Sequence, residues 1–473
     1  MYRILRIALT VALLVGAAAS FGLCAAKKPA KAVPAKRPAA PKLLTVAAGQ
    51  PFETPSSGAA KVSLTMCADE TEPATFTARC GKSLAGVSAA CGDLAGPGKI
   101  GRQNVTVRLV EGDELLACDM MTLDSSPKQF WVDVTVPKNS KPGVYKGSIA
   151  FSAKGKQIDT VPIEVTIRSL RLIGSSKQYA LYTSLGLSGQ GACRLAGDAY
   201  SRFLGAVGKL GFRAVSVSED PARIGDAFSA CAAAGLVGSI PVLTFALGSG
   251  APTIEDARAV ESARKTAGLA SVYCFCADNP ATDQEVQAAC ERASVLRRAG
   301  MQVAATVSDD AAAQKLLPVL DGINYRIDMP YVQALVNGGT SRTNKWEWYW
   351  WDARQSAEQN RVNTGVGLWR SGLYGCMPMW MPKDGSDRAD NLDSLLAEAL
   401  REGVNDTRYI TTYMKALREL KDKKREKDKD YIAATESYLS SFLSKPLGKL
   451  TPGDLRAFRA KMAEFSVKLI SML

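Results

Sequence analysis

The chain has 473 residues, 47% hydrophobic and 22% charged, and contains no histidine. Without an imidazole there is no Ser-His-Asp or Cys-His nucleophile system, no His-bound zinc hydrolase site and no His proton shuttle, which leaves carboxylates, Lys or Tyr chemistry, or no chemistry at all. The formal net charge of +13 sits at the ends, +8 in residues 1–42 and +6 in residues 415–473 around a body of −1, so the folded part lacks the basic surface of a nucleic-acid binder.

Read in chain order, Arg3 and Arg6 precede an apolar run from Ile7 to Ala19 that ends in small residues. This is the pattern of a secretory signal peptide and too short for a membrane span. Residues 1–26 are therefore expected to be removed, giving a secreted, periplasmic or cell-surface protein with no stable membrane span. Leu23 stands where a lipobox wants Gly or Ala, which argues against lipid anchoring at Cys24. Residues 27–44 form an Ala/Pro/Lys-rich linker that cannot bury a core. Export permits disulfides, and four of the ten cysteines after Cys24 (Cys67, Cys80, Cys91, Cys118) fall in the first folded region. For most of the ten the simpler reading is a small buried residue.

Residues 45–172 show only short alternating runs, such as Asn104–Leu109, Phe130–Val136 and Ile163–Ile167, separated by turn residues. Strands at this spacing predict an all-β sandwich. From 173 to 412 strands and helices alternate. Expected strands are Ala180–Leu185, Arg213–Ser218, Ser239–Ala246, Ser271–Ala277, Gln302–Ser308, Ile323–Asp328, Glu347–Asp352 and Leu373–Trp380. Helices between them repeatedly end in Gly, the C-cap signature. Eight such units predict a (β/α)8 TIM-type barrel, with a doubly wound sheet as the alternative. No G-x-G-x-x-G follows the first strand, so no dinucleotide cofactor is expected, and without histidine no further ligand at metal-site spacing accompanies the C-x-C of Cys274 and Cys276, so no metal is expected. Residues 413–473 read as a helical extension. Its last segment places Leu455, Phe458, Met462, Phe465, Leu469 and Met472 at spacings of three and four, a stripe expected to pack on its own chain.

In barrels the active site lies at the C-terminal strand ends. Those ends are acidic here: Glu219, Asp220, Asp278, Asp309, Asp310, Asp328 and Asp352. Each is also a candidate N-cap for the next helix. Six of the seven tryptophans lie between Trp346 and Trp380. An indole can stack on the apolar face of a sugar, and Trp seldom fills a narrow barrel interior. Trp348, Trp350 and Trp380 with Asp328 and Asp352 are accordingly the candidate substrate-binding residues of a carbohydrate cleft.

The segments ADETEPATFTARCGKSLAGVSAACGDL and FWVDVTVPKNSKPGVYKGSI resemble the N-terminal β-sandwich of proteins related to glycoside hydrolase family 123. RVNTGVGLWRSGLYGCMPMW and EALREGVNDTRYITT resemble the closing strand and following helix of that family's catalytic domain, also known as domain of unknown function 4091. The resemblance implies a sandwich followed by a (β/α)8 barrel that cleaves β-linked N-acetylgalactosamine with help from the substrate's own acetamido oxygen, an exception to the two-carboxylate scheme. It implies an Asp-Glu pair at the end of the fourth barrel strand, usually followed by Pro. In SVYCFCADNP the Asp position is Asp278 and the Pro position Pro280, while the general-acid position is Asn279. An amide has no proton to release near neutral pH. The expectation is a hydrolase-like protein that acts on or binds 2-acetamido sugars, with hydrolysis reduced or absent unless another carboxylate supplies the proton. The alternative is a non-catalytic carbohydrate-binding or cell-surface assembly protein.

Overall fold

A computed structural model describes residues 43–183, 185–186, 193–194, 197–219, 223–243, 252–339, 341, 345–380, 392–423 and 425–473. The expected leader, Cys24, most of the linker, and Asp220 lie outside the described residues.

The N-terminal part is a sandwich of two sheets. One has the order β1 (Leu44–Gly49), β3 (Glu70–Cys80), β8 (Lys128–Val136), β5 (Val105–Glu111), β6 (Glu114–Ala117). The other runs β2 (Val62–Ala68), β10 (Lys156–Arg171), β9 (Gly143–Ala153), β4 (Leu84–Cys91), β7 (Met121–Leu123). Alternation turns one face of each sheet inward. Phe76 of β3 and Phe130 of β8 stack with centroids 5.0 Å apart, and Phe151 of β9 meets Phe130 edge-on at 5.4 Å.

Eight parallel strands then form a barrel: β11 (Gln178–Leu181), β12 (Ala214–Val215), β13 (Ser239–Leu243), β14 (Ser271–Asp278), β15 (Gln302–Val307), β16 (Gly322–Arg326), β17 (Trp346–Trp350) and β18 (Gly375–Cys376). Each pairs with the next in sequence except β12 with β13, and β18 pairs with β11. Between β12 and β13 the ring closes beyond the strand proper, where Val217 bridges Val242 and the Leu243 amide donates to the Val217 carbonyl at 2.9 Å. The outer helices are α1 (Gly197–Lys209), α2 (Ile224–Ala233), α3 (Ile254–Ala267), α4 (Asp283–Arg298), α5 (Asp310–Leu316), α6 (Pro330–Val336), α7 (Ala357–Val362) and α8 (Leu368–Ser371). Their boundaries are local chemistry. Thr253 with Asp256 and Thr282 with Glu285 form reciprocal capping boxes at the starts of α3 and α4, and Gly268 ends α3 at φ 68°, a left-handed position that costs glycine nothing.

The extension is α9 (Leu395–Asp422), α10 (Lys429–Leu443) and α11 (Pro452–Met472). α9 runs without a break across position 412, wedged between sandwich and barrel. Arg401 reaches Asp133 of β8 at 2.7 Å, and the Asn405 side chain donates to the Thr71 carbonyl at 3.0 Å. Of the α11 stripe, Leu455, Phe458, Met462, Phe465 and Leu469 are buried against α9 and α10, Met472 partly so. Among the described residues no helix is long and apolar enough to cross a membrane.

Cys67, Cys80, Cys91, Cys118, Cys231, Cys274, Cys276, Cys290 and Cys376 are free thiols, all but Cys290 buried. Burial pushes Cys274 and Cys276 up to about 12, so this C-x-C is inert packing beneath the helices.

Burial also pushes Glu72 and Glu398 up to about 7, against the opposing pull of Arg459 and Arg401 respectively. An acid whose folded value lies above its unfolded one stabilises the fold fully below the unfolded value and loses that contribution as pH rises through the folded one. Thermal unfolding midpoints are therefore expected to fall between pH 5 and pH 8, and Glu398→Gln should flatten the decline. Asp133 in the same cluster acts elsewhere: burial opposes its ionisation, but Arg401 and then Arg108 hold it below the usual carboxylate range, so its contribution disappears only in stronger acid. A midpoint that rises steadily from pH 5 to pH 8 would contradict this account.

Candidate functional site at the barrel mouth

The barrel interior is built in levels. At the N-terminal end of the strands, Trp348 lies edge-on to Tyr273 at 5.2 Å, beside Trp346 and Tyr374. It fits because both neighbouring strands present glycine: a Cβ on Gly322 would approach Trp348 Cζ3 to 2.7 Å, and one on Gly375 would approach its Cδ1 equally closely. Trp348 is 4% exposed and fills the lower core. The expectation that a tryptophan would not fill so narrow a space is corrected here, and Trp348 is removed from the mouth.

The upper level changes character. Tyr182, Thr183, Ser216, Ser218, Glu219, Thr306 and Asn324 are all buried there, at the ends of otherwise apolar strands. Ser216 substitutes for ladder bonds, accepting from the Thr183 amide at 2.7 Å and donating to the Thr183 carbonyl at 2.6 Å. Among the described residues, Tyr182 Oη, Ser218 Oγ and both polar atoms of the Asn324 side chain have no hydrogen-bond partner. Buried polar groups normally are paired, so this level is suited to receive a polar ligand or water.

Asp278 reaches this level through a bulge. Strict alternation from Tyr273 and Phe275, which face inward, would turn Asp278 outward. The β14–β15 register shifts between Phe275 and Ala277, bringing Asp278 opposite the inward-facing Thr306. Thr306 Oγ1 donates to Asp278 Oδ1 at 2.8 Å and Asn279 Nδ2 donates to the same oxygen at 3.1 Å. Asp278 is exposed, and Oδ2 has no hydrogen bond of standard geometry among the described residues. The buried Tyr182 hydroxyl faces this carboxylate without reaching hydrogen-bond geometry, and its ionisation is pushed well up, by burial first and by Asp278 second.

Asn279 sits at φ 52°, a left-handed conformation that asparagine tolerates better than most residues. Its backbone amide donates to the Thr306 carbonyl at 3.0 Å, and its own Oδ1 is buried without a partner among the described residues. The residue thus shapes the turn before buried Pro280 and presents an amide beside Asp278.

The other expected site residues divide. Trp380 is buried, and its amide donates to the Tyr182 carbonyl at 2.7 Å, fixing it next to the Asp278 group. Trp350 is 9% exposed, with its indole N–H aimed at the Val307 carbonyl, 3.4 Å away. Trp350, Asp328 and Asp352 line a cleft of about 730 Å³ that extends over α6 and α7 to Leu447 and Leu450, and Asp278 is not in its wall. Asp328 is held by Arg326 at 2.5 Å and Asp352 by Arg354 at 3.2 Å, so both are ion-paired rim residues. Asp309 caps α5, accepting from the Ala312 amide at 2.9 Å. Among the described residues the hydrogen bonds to Asp278 come from Thr306 and Asn279, and no group of three or more metal-ligating side chains converges.

Tyr182, Thr306, Asn324 and Ser218 were not among the residues the sequence singled out. The signal was present as polar residues at inward positions of apolar strands, but the phase of each strand is needed to use it.

The sequence matches no protein-family model and no curated protein. The three-dimensional match is extensive: a family 123 glycoside hydrolase from Clostridium perfringens, whose structural analysis concerned glycolipid glycan hydrolysis, superposes with a TM-score of 0.64 over 91% of this chain and 99% of that one, at 10% identity. The fold is that of a family 123 glycoside hydrolase. The sandwich, the barrel and the C-terminal helices are therefore shared with that structure as one fold. A GH5 xyloglucanase from Bacteroides ovatus (TM-score 0.29, 10% identity, 76% of this chain and 100% of that one) and a β-glucuronidase from Faecalibacterium prausnitzii (0.31, 11%, 77% and 66%) are too distant to carry an argument.

Proposed function

We propose that the protein is an exported carbohydrate-active protein that holds a 2-acetamido sugar of the β-N-acetylgalactosaminide type at the barrel mouth. The observation that carries this reading is the bulge-directed Asp278, anchored by Thr306 through one oxygen, with the other lacking a standard hydrogen bond among the described residues. An ionised carboxylate so placed accepts an acetamido N–H and orients the acetamido oxygen toward the anomeric carbon. Tyr182, Ser218 and Asn324 offer further hydrogen bonds to hydroxyl and carbonyl groups of the ring. Departure of the aglycone needs a proton, and the residue following Asp278 is the amide Asn279. Hydrolysis is accordingly slow or absent, and binding is the principal activity.

Titration calorimetry with N-acetylgalactosamine and with galactose tests this. One charge-assisted hydrogen bond contributes about 1.5–3 kcal/mol, so galactose, and N-acetylgalactosamine on Asp278→Ala, are both expected to bind at least tenfold more weakly. Equal binding of the two sugars by the unaltered protein would refute the acetamido assignment.

A further inference from the structure

We infer that the opposite, N-terminal end of the barrel carries a second carbohydrate site, which takes an acidic oligosaccharide. A cleft of about 850 Å³ opens there between the lower barrel rim, the sandwich edge and α9, within the size range of small-molecule sites. Trp346 stands in its wall at 39% exposure, the only one of the seven tryptophans that is exposed. Its same-face neighbour Trp348 is buried, so packing accounts for one and not the other. The Trp346 and Tyr374 rings lie with centroids 4.1 Å apart and planes inclined at 56°, a corner with two apolar surfaces against which a sugar's C–H face can rest. Small residues, Gly238, Ser239, Ala270 and Ser271, floor the cleft. A Cβ on Gly238 would come within 2.9 Å of the Arg213 carbonyl oxygen, so the floor stays low there.

The charge of the lining selects the sugar. Five cationic side chains line the cleft against two carboxylates. Glu70 is engaged, accepting from the Cys67 amide at 2.7 Å and from Tyr409 at 2.9 Å, and Arg401 is engaged by Asp133 and Glu398. Lys177, Lys209 and Arg213 remain on the barrel side. Lys177 donates once, to the Leu373 carbonyl at 2.7 Å, and the exposed Arg213 guanidinium has no hydrogen bond or ion pair among the described residues. A planar carboxylate on a sugar ring suits a guanidinium beside an aromatic platform. Strand β14 begins in this cleft at Ser271 and ends at Asp278, and seven steps of a strand span about 23 Å. The two sites are thus separate.

Trigalacturonate, which lacks an acetamido group, is the probe, with maltotriose as neutral comparator, both titrated into the full chain by calorimetry. Trigalacturonate is expected to bind at least tenfold more tightly than maltotriose. Arg213→Ala should weaken it about 5- to 20-fold, Arg213→Glu and Trp346→Ala more, and rising salt should weaken it further. Arg213 is exposed, so its variants test the site without burdening the fold. Saturating N-acetylgalactosamine should leave trigalacturonate binding unchanged. Failure of the mouth assignment leaves this result intact. Absence of binding at millimolar trigalacturonate, equal binding of maltotriose, indifference to Arg213→Glu, or displacement by N-acetylgalactosamine would each overturn the inference.

Discussion

Replacing Asn279 by glutamate is expected to raise turnover of aryl 2-acetamido-β-galactosides by about 10²–10⁴-fold, the usual contribution of a placed general acid. The wild-type residue follows Asp278 directly and its side chain lies against the Asp278 carboxylate, 3.1 Å from Oδ1. A carboxyl group at this position adds the dissociable proton that the amide lacks. One effect opposes the gain and one assists it. A non-glycine residue at φ 52° other than asparagine costs about 1–2 kcal/mol. A second carboxylate beside Asp278 works with it, because repulsion between like charges raises the second ionisation of the pair and keeps on it the one proton a general acid requires. The gain should therefore follow a descending pH limb that the wild type lacks, and Asp278→Ala introduced into the Asn279→Glu protein should abolish it. If Asn279→Glu folds, binds N-acetylgalactosamine normally and gains no turnover on an activated substrate, the missing general acid is not what limits this site.

Loss of Arg459 is expected to have the largest effect on the fold. Arg459 of α11 is 5% exposed and meets Glu402 at 3.1 Å, Asp406 at 2.6 Å and Glu72 of the sandwich, and donates to the Glu402 carbonyl at 2.6 Å. Arg361 of α7 approaches the same acids, at 3.0 Å to Asp406 and 3.9 Å to Glu402. One cluster thus ties sandwich, barrel and both long helices together with fully buried charges. Arg459→Ala leaves Glu72, Glu402 and Asp406 facing Arg361 with too little positive charge. Removing one partner from such a cluster costs about 3–5 kcal/mol, or roughly 3–6 °C in midpoint for a folded body of this size. Arg459→Ala with Glu402→Gln should recover part of the loss by removing one uncompensated charge, an outcome that simple loss of packing would not give. An Arg459→Ala protein melting within a degree or two of wild type would show that the ions contribute little.

The two sites differ in how far residues alone reveal them. Asp278 and Asn279 were found from the sequence because ADNP is a contiguous string with a family pattern. Their partners were not, because Tyr182, Ser218, Thr306 and Asn324 come from or just beyond four different strands and converge only when the barrel closes. The tryptophans illustrate the opposite failure. Composition drew attention to them as a group, yet Trp348 fills the lower core, Trp350 and Trp380 lie buried near the mouth, and Trp346 alone is exposed, at the other end. The shared face of Trp346, Trp348 and Trp350 follows from period-two alternation along β17. Their different depths follow from the stagger of strands and from glycines at 322 and 375, contributed by neighbours remote in sequence.

Absence of histidine, the order of strands and helices, the capping boxes and the apolar stripe of α11 are properties of residues near one another in the chain, and the sequence by itself determined them. The phase of Asp278, the choice of which charges are buried together, and the separation of one aromatic cluster into core, mouth and lower cleft were decided by tertiary structure. A single bulged residue reverses the face of everything after it, and long-range register is set by burial of the whole sheet, so neither can be read from a local pattern.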